Sequence, residues 1–333
     1  GSEVQDRLVL TADVNYYVAT TGNDSNLGTI GSPWLTLQHA MNFIAAMIDV
    51  AGFTITVNIA AGTYPGFGIQ TTVGGGVINF YGADQSLTTI IGGPNDGIVN
   101  FGNCIDSAVN FESVIGLDKV TLKPTVTHSS GISLFGGFGF FNIGDVFSGN
   151  LVGVTFDSSS GVVRNFLATS FYNAVQLVSG PITITGNSTV DEVIWGQGAF
   201  TGMQSGASYA ISTSLTVNHA FLNLLNSSFV SYGGGASGTL SGPAMLLVEG
   251  SASNFDFSVF TGSSPNLVDG SSSVNGVLGA AFIGTVAGLP SASVKNTRAF
   301  VTNALAPAFG AVVVGGGAIY TPVYADGTNW RCG

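Results

Sequence analysis

The sequence predicts an all-β chain whose short strands stack on one another as a parallel β-helix. Three observations carry that expectation. From Phe53 onward, runs of about four to six residues rich in Val, Ile, Phe and Thr alternate with Gly, Ser, Asn and Asp turns. The runs follow one another too closely to admit helices between them, which excludes a βαβ pattern. No linker divides the 333 residues, as a set of sandwich domains would require. Stacked coils instead give one core running the length of the chain. With coils of about 20–25 residues, about ten fit, and at about 4.8 Å per coil the stack is roughly 50 Å long.

Composition agrees with packed structure and narrows the partners. Hydrophobic residues make up 45% and charged residues only 8%, against a usual charged share of about 25%. The net charge is −11 with seven Lys and Arg residues, so the chain lacks the cations that direct nucleic-acid binding requires. A surface of Ser, Thr, Asn and Gly suits hydrogen bonding to neutral sugars, and equally suits an inert shaft. No uninterrupted apolar run reaches the length of about 18 residues that a spanning helix needs, so membrane insertion is not expected. Cys104 and Cys332 make no disulfide framework. Cys104, in "NFGNCIDSAVNF", reads as a small core hydrophobe, and Cys332, next to last, reads as mobile.

Residues 1–52 form a lead-in. "VNYYVAT" (Val14–Thr20) reads as a strand and "TGNDSNLGTIGS" as a turn-rich loop. Ser32-Pro33 then precedes "WLTLQHAMNFIAAMI". A Ser cap followed by Pro at the first helical position starts a helix. Trp34, Leu37, Ala40, Met41, Ile44, Ala45 and Ile48 fall at helical spacing on one apolar stripe, and Gly52 ends the helix. An open end of a stacked core exposes apolar residues and strand edges, so this helix is expected to be a lid over Ile55, Val57 and Ile59.

Residues 53–293 carry the stacked strands, in runs such as "ITVNIAAGTY", "GVINFYG", "GVVRNFLATS", "DEVIWGQG" and "SLTVNH". Residues 294–333 differ again. Lys295 and Arg298 stand close together ahead of an apolar, Gly-rich stretch, and "ADGT" near the end is a good turn between two strands. A small terminal β-element is expected there.

"YYVATTGNDSNLGTIGSPWLTLQHAMNFI" followed by "ITVNIAAGTY" resembles the opening of pectate-lyase-like right-handed β-helices, especially those of bacteriophage and prophage tail proteins. In those, a strand, a TGxDSNxG loop and a helix with T-L-Q-x-A precede the first coil. "GAVVVGGGAIYTPVYADGTNWR" is similar to the C-terminal ends of many phage tail-fibre and structural proteins. The middle of the chain matches only in texture. The resemblance implies a right-handed single-stranded β-helix with a capping helix, assembled as a homotrimer, in which the C-terminal element serves trimerisation. It implies a virion tail, extracellular once assembled, with other tail proteins and host cell-surface polysaccharide as partners. It does not imply catalysis, because function resides in a site and not in the fold.

Glycoside hydrolysis needs two carboxylates at a set separation, and lyase chemistry needs a base beside a sugar α-proton. Lys119, Lys123 and Arg164 are the only Lys or Arg between Arg7 and Lys295, and the polygalacturonase-like signatures are absent. "VDEVIWGQG" is the best local constellation. Asp191 and Glu192 are candidate catalytic acids, and Trp195 is a candidate sugar-stacking ring. As neighbours on a regular strand, the two acids point to opposite faces, and the plainer reading is a solvated turn acid beside a half-buried Trp.

Asp118 and Lys119 read as a surface pair. His39, His128 and His219 lack metal-ligand spacing. "TGNDSNLG" places Asn23, Asp24 and Asn26 like calcium ligands but lacks the later Glu, so an Asx-held turn is expected. No cofactor and no metal are expected. The leading functional expectation is a structural or receptor-binding tail component. The alternative is a polysaccharide depolymerase on the same scaffold, and a surface adhesin comes third.

Overall fold

In the computed structural model, the described residues are 7–137, 139–144 and 298–333, together with the strands and short adjoining stretches between 153 and 292. The described residues are mostly strand with one α-helix, and nearly all pairing among them is parallel. From Thr54–Ile59 to Met245–Val248 the strands recur in a cycle of three, most pairing with the strand three places earlier in the chain. One ladder runs through Val14–Val18, Thr54–Ile59, Val77–Gly82, Val114–Asp118 and Phe141–Ile143. A second runs through Gly62–Pro65, Thr88–Ile91, Thr121–Lys123, Val154–Asp157 and Pro181–Thr185. A third runs through Phe67–Gly68, Ile105–Ser107, Ser130–Gly137, Val163–Phe171, Thr189–Gln197, Leu215–Leu225 and Met245–Val248.

The register explains the apolar texture of the sequence. Along the third ladder, Phe67, Ile105, Ile132, Phe166, Ile194, Leu222 and Met245 are successive partners, and all are buried. Tyr64, Ile90, Leu122, Phe156 and Ile184 make a like column in the second, and Val57, Phe80, Leu117 and Ile143 in the first. Thr54–Ile59 alternates half-buried and buried residues with the period of two that a strand imposes. These columns belong to one continuous core. Each large side chain in it contributes about 1.5–3 kcal/mol by leaving water.

The helix α1 spans Leu37–Met47 and buries Leu37, Ala40, Met41 and Ile44 in the same core cluster as Ile55, Val57 and Ile59. It starts later than the Ser32-Pro33 pair suggested. Thr36 is the cap, its hydroxyl accepting from the His39 N–H at 3.1 Å. Trp34 is not helical. It pairs with Val18 as a parallel bridge, donates its N–H to the Tyr17 carbonyl and accepts from Ala19. That bridge holds the chain extended through Trp34, so the helix begins only beyond it. Gly28 sits at φ +71 against the Trp34 ring, where a Cβ would stand 2.6 Å from the indole. The helix also ends before Gly52, at Ile48. There the Arg7 guanidinium donates to the Ala45 and Ile48 carbonyls, meeting the unpaired acceptors of a helix C-terminus.

The loop ahead of the helix is Asx-held as expected. Asn23 Oδ1 accepts from the Ser25 N–H at 2.9 Å and its hydroxyl at 2.8 Å. Both Asp24 oxygens serve the Leu35–Thr36 backbone and the Thr36 hydroxyl.

At the other end, Arg298–Ala304, Ile319–Ala325 and Trp330–Cys332 form antiparallel pairs, with the Asp326–Asn329 turn between the last two. They enclose a separate small core of Ala299, Val301, Val323, Ala325 and Trp330. Cys332 belongs to that core and is 2% exposed, so it is a packed residue and not a mobile tail. Cys104 is fully buried and both thiols are free. Among the described residues no helix is long and apolar enough to cross a membrane.

Candidate functional site

The polar residues singled out on Thr189–Gln197 lie where the ladder register slips. Val163 and Val190 are partners, as are Arg164 and Glu192, so Asp191 is an extra residue. On the next strand, Val217 partners Val190 and Ala220 partners Glu192, which adds one more residue there. The bulge breaks regular alternation. Asp191 and Glu192 are therefore not split between a wet and a dry face. Their side chains are 3% and 1% exposed, which corrects the expectation of a solvated turn acid.

Polar and charged side chains from four successive strands or their approaches converge on this corner. Glu192 Oε2 accepts from Arg164 Nε at 2.8 Å. Glu192 Oε1 meets His219 Nδ1 at 2.5 Å and Asn223 Nδ2 at 3.2 Å. Asp191 Oδ2 is bound to His128 Nδ1, and Oδ1 accepts from Asn218 Nδ2 at 3.1 Å. Arg164 also donates through Nη1 to the His128 carbonyl at 3.5 Å. Every carboxylate oxygen is engaged, as buried charges require. The imidazoles are the part that reaches water, His128 being 60% and His219 53% exposed. Each ring is held to its carboxylate through Nδ1.

Trp195 is half-buried, as the plainer reading had it, and pairs in register with Leu167 and Asn223. Asn223 thus links the Trp195 row to Glu192. Sequence reasoning treated His128, Arg164 and His219 as unrelated. A signal was present in the spacing: Asp191–Asn218 and Glu192–His219 are each 27 residues apart, and Arg164–Glu192 28. One step of the ladder therefore separates each pair.

Other predicted residues fall elsewhere. His39 sits on α1 with its ring 5.3 Å from that of Trp34. Asp118 is 1% exposed, so the carboxylate is buried and not at the surface, and Lys119 Nζ lies 4.7 Å over the Tyr81 ring. Asp106 is buried and accepts from the Asn100 N–H at 2.8 Å, Asn100 Nδ2 at 2.5 Å and Asn103 Nδ2 at 3.2 Å. Burial pushes its pKa up against the downward pull of those donors. Among the described residues, no group of three or more His, Cys, Asp or Glu side chains could hold a metal. The clearest concavity, about 320 Å3, lies away from the corner, between Tyr17, Asn58 and Tyr81. Comparison with family models, with curated proteins and with solved structures finds no match to this chain.

Proposed function

We propose that the chain is a structural and receptor-binding component of a bacteriophage or prophage tail. It is a right-handed single-stranded parallel β-helix, closed at one end by α1, that assembles as a homotrimer and contacts host surface glycan. The observation that carries this is the three-strand cycle of parallel ladders, which makes a rigid spacer with one continuous core. The carboxylates of the Asp191–Glu192 corner support a non-catalytic role, because their oxygens are already occupied and shielded from a substrate.

The C-terminal element supports self-association. No charged residue occurs between Arg298 and Asp326. Phe309 is 87% exposed, and Leu305, Val314 and Tyr320 are more than half exposed. Leu305 and Val314 are hydrogen-bonded neighbours, and the rings of Phe300 and Tyr320 stand 6.0 Å apart. An apolar patch of that kind marks an interaction surface, and it is the part of a −11 chain where copies meet without like-charge repulsion. Other tail proteins are the remaining partners, and the assembled particle is extracellular.

A depolymerase on the same scaffold is the second reading. One observation favours it: each exposed imidazole is oriented by a buried carboxylate, the arrangement of a general base. Two measurements separate the readings. Sedimentation equilibrium is expected to give three chain masses, and a single chain mass overturns the tail assignment. Incubation with host capsule or lipopolysaccharide is expected to give binding without shortened oligosaccharides. Products that disappear in His128→Ala or His219→Ala would establish the depolymerase instead.

A further inference from the structure

We propose that the concavity over the first ladder binds a neutral, extended, β-linked oligosaccharide, with Tyr17 and Tyr81 as stacking platforms and Asn58 between them. This rests on the glycan-contacting part of the function proposed above and assigns that contact to a site distant from Trp195. Tyr17, Asn58 and Tyr81 are successive partners in register across the strands Val14–Val18, Thr54–Ile59 and Val77–Gly82. Two strand spacings separate the tyrosines, about 9–10 Å. That is close to the span of two sugar residues in a straight β1→4 chain, so alternate rings present the same face to the two platforms. An α-linked chain curls away from such a line.

The concavity measures about 320 Å3, a size that takes a small ligand. Its outer wall is Ile30 and Pro33, from the loop ahead of α1. The wall is built before any ligand arrives: the Pro33 carbonyl accepts from the Asn23 N–H at 3.1 Å and from Asn26 Nδ2 at 2.8 Å. A pre-formed wall lowers the ordering cost of binding. Asn58 Nδ2 is committed to Asn15 Oδ1 at 3.0 Å and the Tyr16 carbonyl at 3.3 Å. This fixes the amide, and among the described residues no donor reaches Asn58 Oδ1, which is left as an acceptor for a hydroxyl. Lys119 Nζ, 4.7 Å over the Tyr81 ring, holds that platform in place.

The order aromatic, amide, aromatic matches a pyranose chain, whose ring faces are apolar and whose edges carry hydroxyls. None of the lining residues is charged, and the chain as a whole is at −11. An anionic sugar would find the Lys119 ammonium beside the Tyr81 ring, but it is repelled by the net charge of the chain as a whole. A neutral sugar does not meet that repulsion.

Titration calorimetry of the full chain with cellohexaose and chitohexaose tests the site, with maltohexaose and decaproline as contrasts. At least one β-linked probe is expected to bind, and Tyr17→Ala or Tyr81→Ala to weaken it about three- to tenfold. Ile30→Arg, at a wall residue that is 77% exposed and so carries little folding energy, is expected to weaken it as well. Tyr17→Phe and Trp195→Ala are expected to leave it unchanged. The proposal is overturned if neither β-linked probe binds, if decaproline or maltohexaose binds more tightly, or if loss follows Trp195→Ala but not the tyrosine and Ile30 changes. Solution mass reads the tail assembly separately: trimers without sugar binding defeat only the pocket, and a sugar-binding monomer defeats only the assembly.

Discussion

Replacing Arg164 with Leu tests whether the Asp191–Glu192 corner is a locked structural network. Glu192 is 1% exposed, and Arg164 Nε is the partner of its Oε2. Removing one member of a buried pair costs about 3–5 kcal/mol, because the remaining charge stays buried without compensation. Arg164 is 24% exposed, so water gains some access to the vacated position, and the lower end, about 3 kcal/mol, is expected. Glu192→Leu removes the buried charge and leaves Arg164 and the half-exposed His219 able to turn to solvent, at a cost of about 1–2 kcal/mol. The double variant is expected to cost little more than Glu192→Leu alone, giving a coupling energy of about 2–3 kcal/mol. Urea unfolding of the four proteins at neutral pH measures it. A coupling below about 0.5 kcal/mol would mean that the carboxylate does not depend on Arg164, and the account of the corner would fail.

Three further outcomes are expected. Leu37→Ala combined with Ile44→Ala, both 1% exposed on α1, should cost about 2–5 kcal/mol per site and raise dye binding to exposed core; an unchanged unfolding midpoint would refute the lid. Cys104 and Cys332 are buried, and burial pushes the Cys104 thiol up, so a thiol reagent should label both only on unfolding; prompt labelling of the native protein would contradict the packing. For Asp326, hydrogen bonds from Asn329, Arg331 and Thr328 lower the folded pKa to about 2. A depressed carboxylate contributes stability above its unfolded value, near 3.9, and loses it as pH falls toward the folded value. The stability gap between the wild type and Asp326→Asn should therefore be full at pH 6 and shrink below pH 4, and a gap that widens on acidification would reverse the sign.

Much of the fold was legible because its rules are local. Thr54–Ile59 alternates in the sequence as it does in burial, and Leu37, Met41 and Ile44 recur at helical spacing and are buried together. The start of α1 was misplaced because Ser32-Pro33 is a sound local signal, overruled by a tertiary one, the bridge from Trp34 to Val18. The corner was illegible for a different reason. Adjacent acids on a strand imply opposite faces only if the register is regular, and the bulge beside Asp191 is set by the neighbouring ladder strands on either side. His128 lies in a turn 63 residues from the carboxylate that it holds. No single-strand pattern reports that.

The three-strand cycle also fixes how such a protein can change in length. Residues 105–131 contain one strand of each ladder, Ile105–Ser107, Val114–Asp118 and Thr121–Lys123, and the first two residues of Ser130–Gly137, for which Asn103 and Cys104 would stand in. Deleting that block would bring Phe67 against Ile132, Val77–Gly82 against Phe141–Ile143, and Thr88–Ile91 against Val154–Asp157. Every apolar column would close over the gap, and the stack would be shorter by one strand spacing, about 4.8 Å. A deletion of half that size would throw all three ladders out of register at once. Length is therefore quantised, and the chain behaves as a ruler whose gradations are whole three-strand cycles.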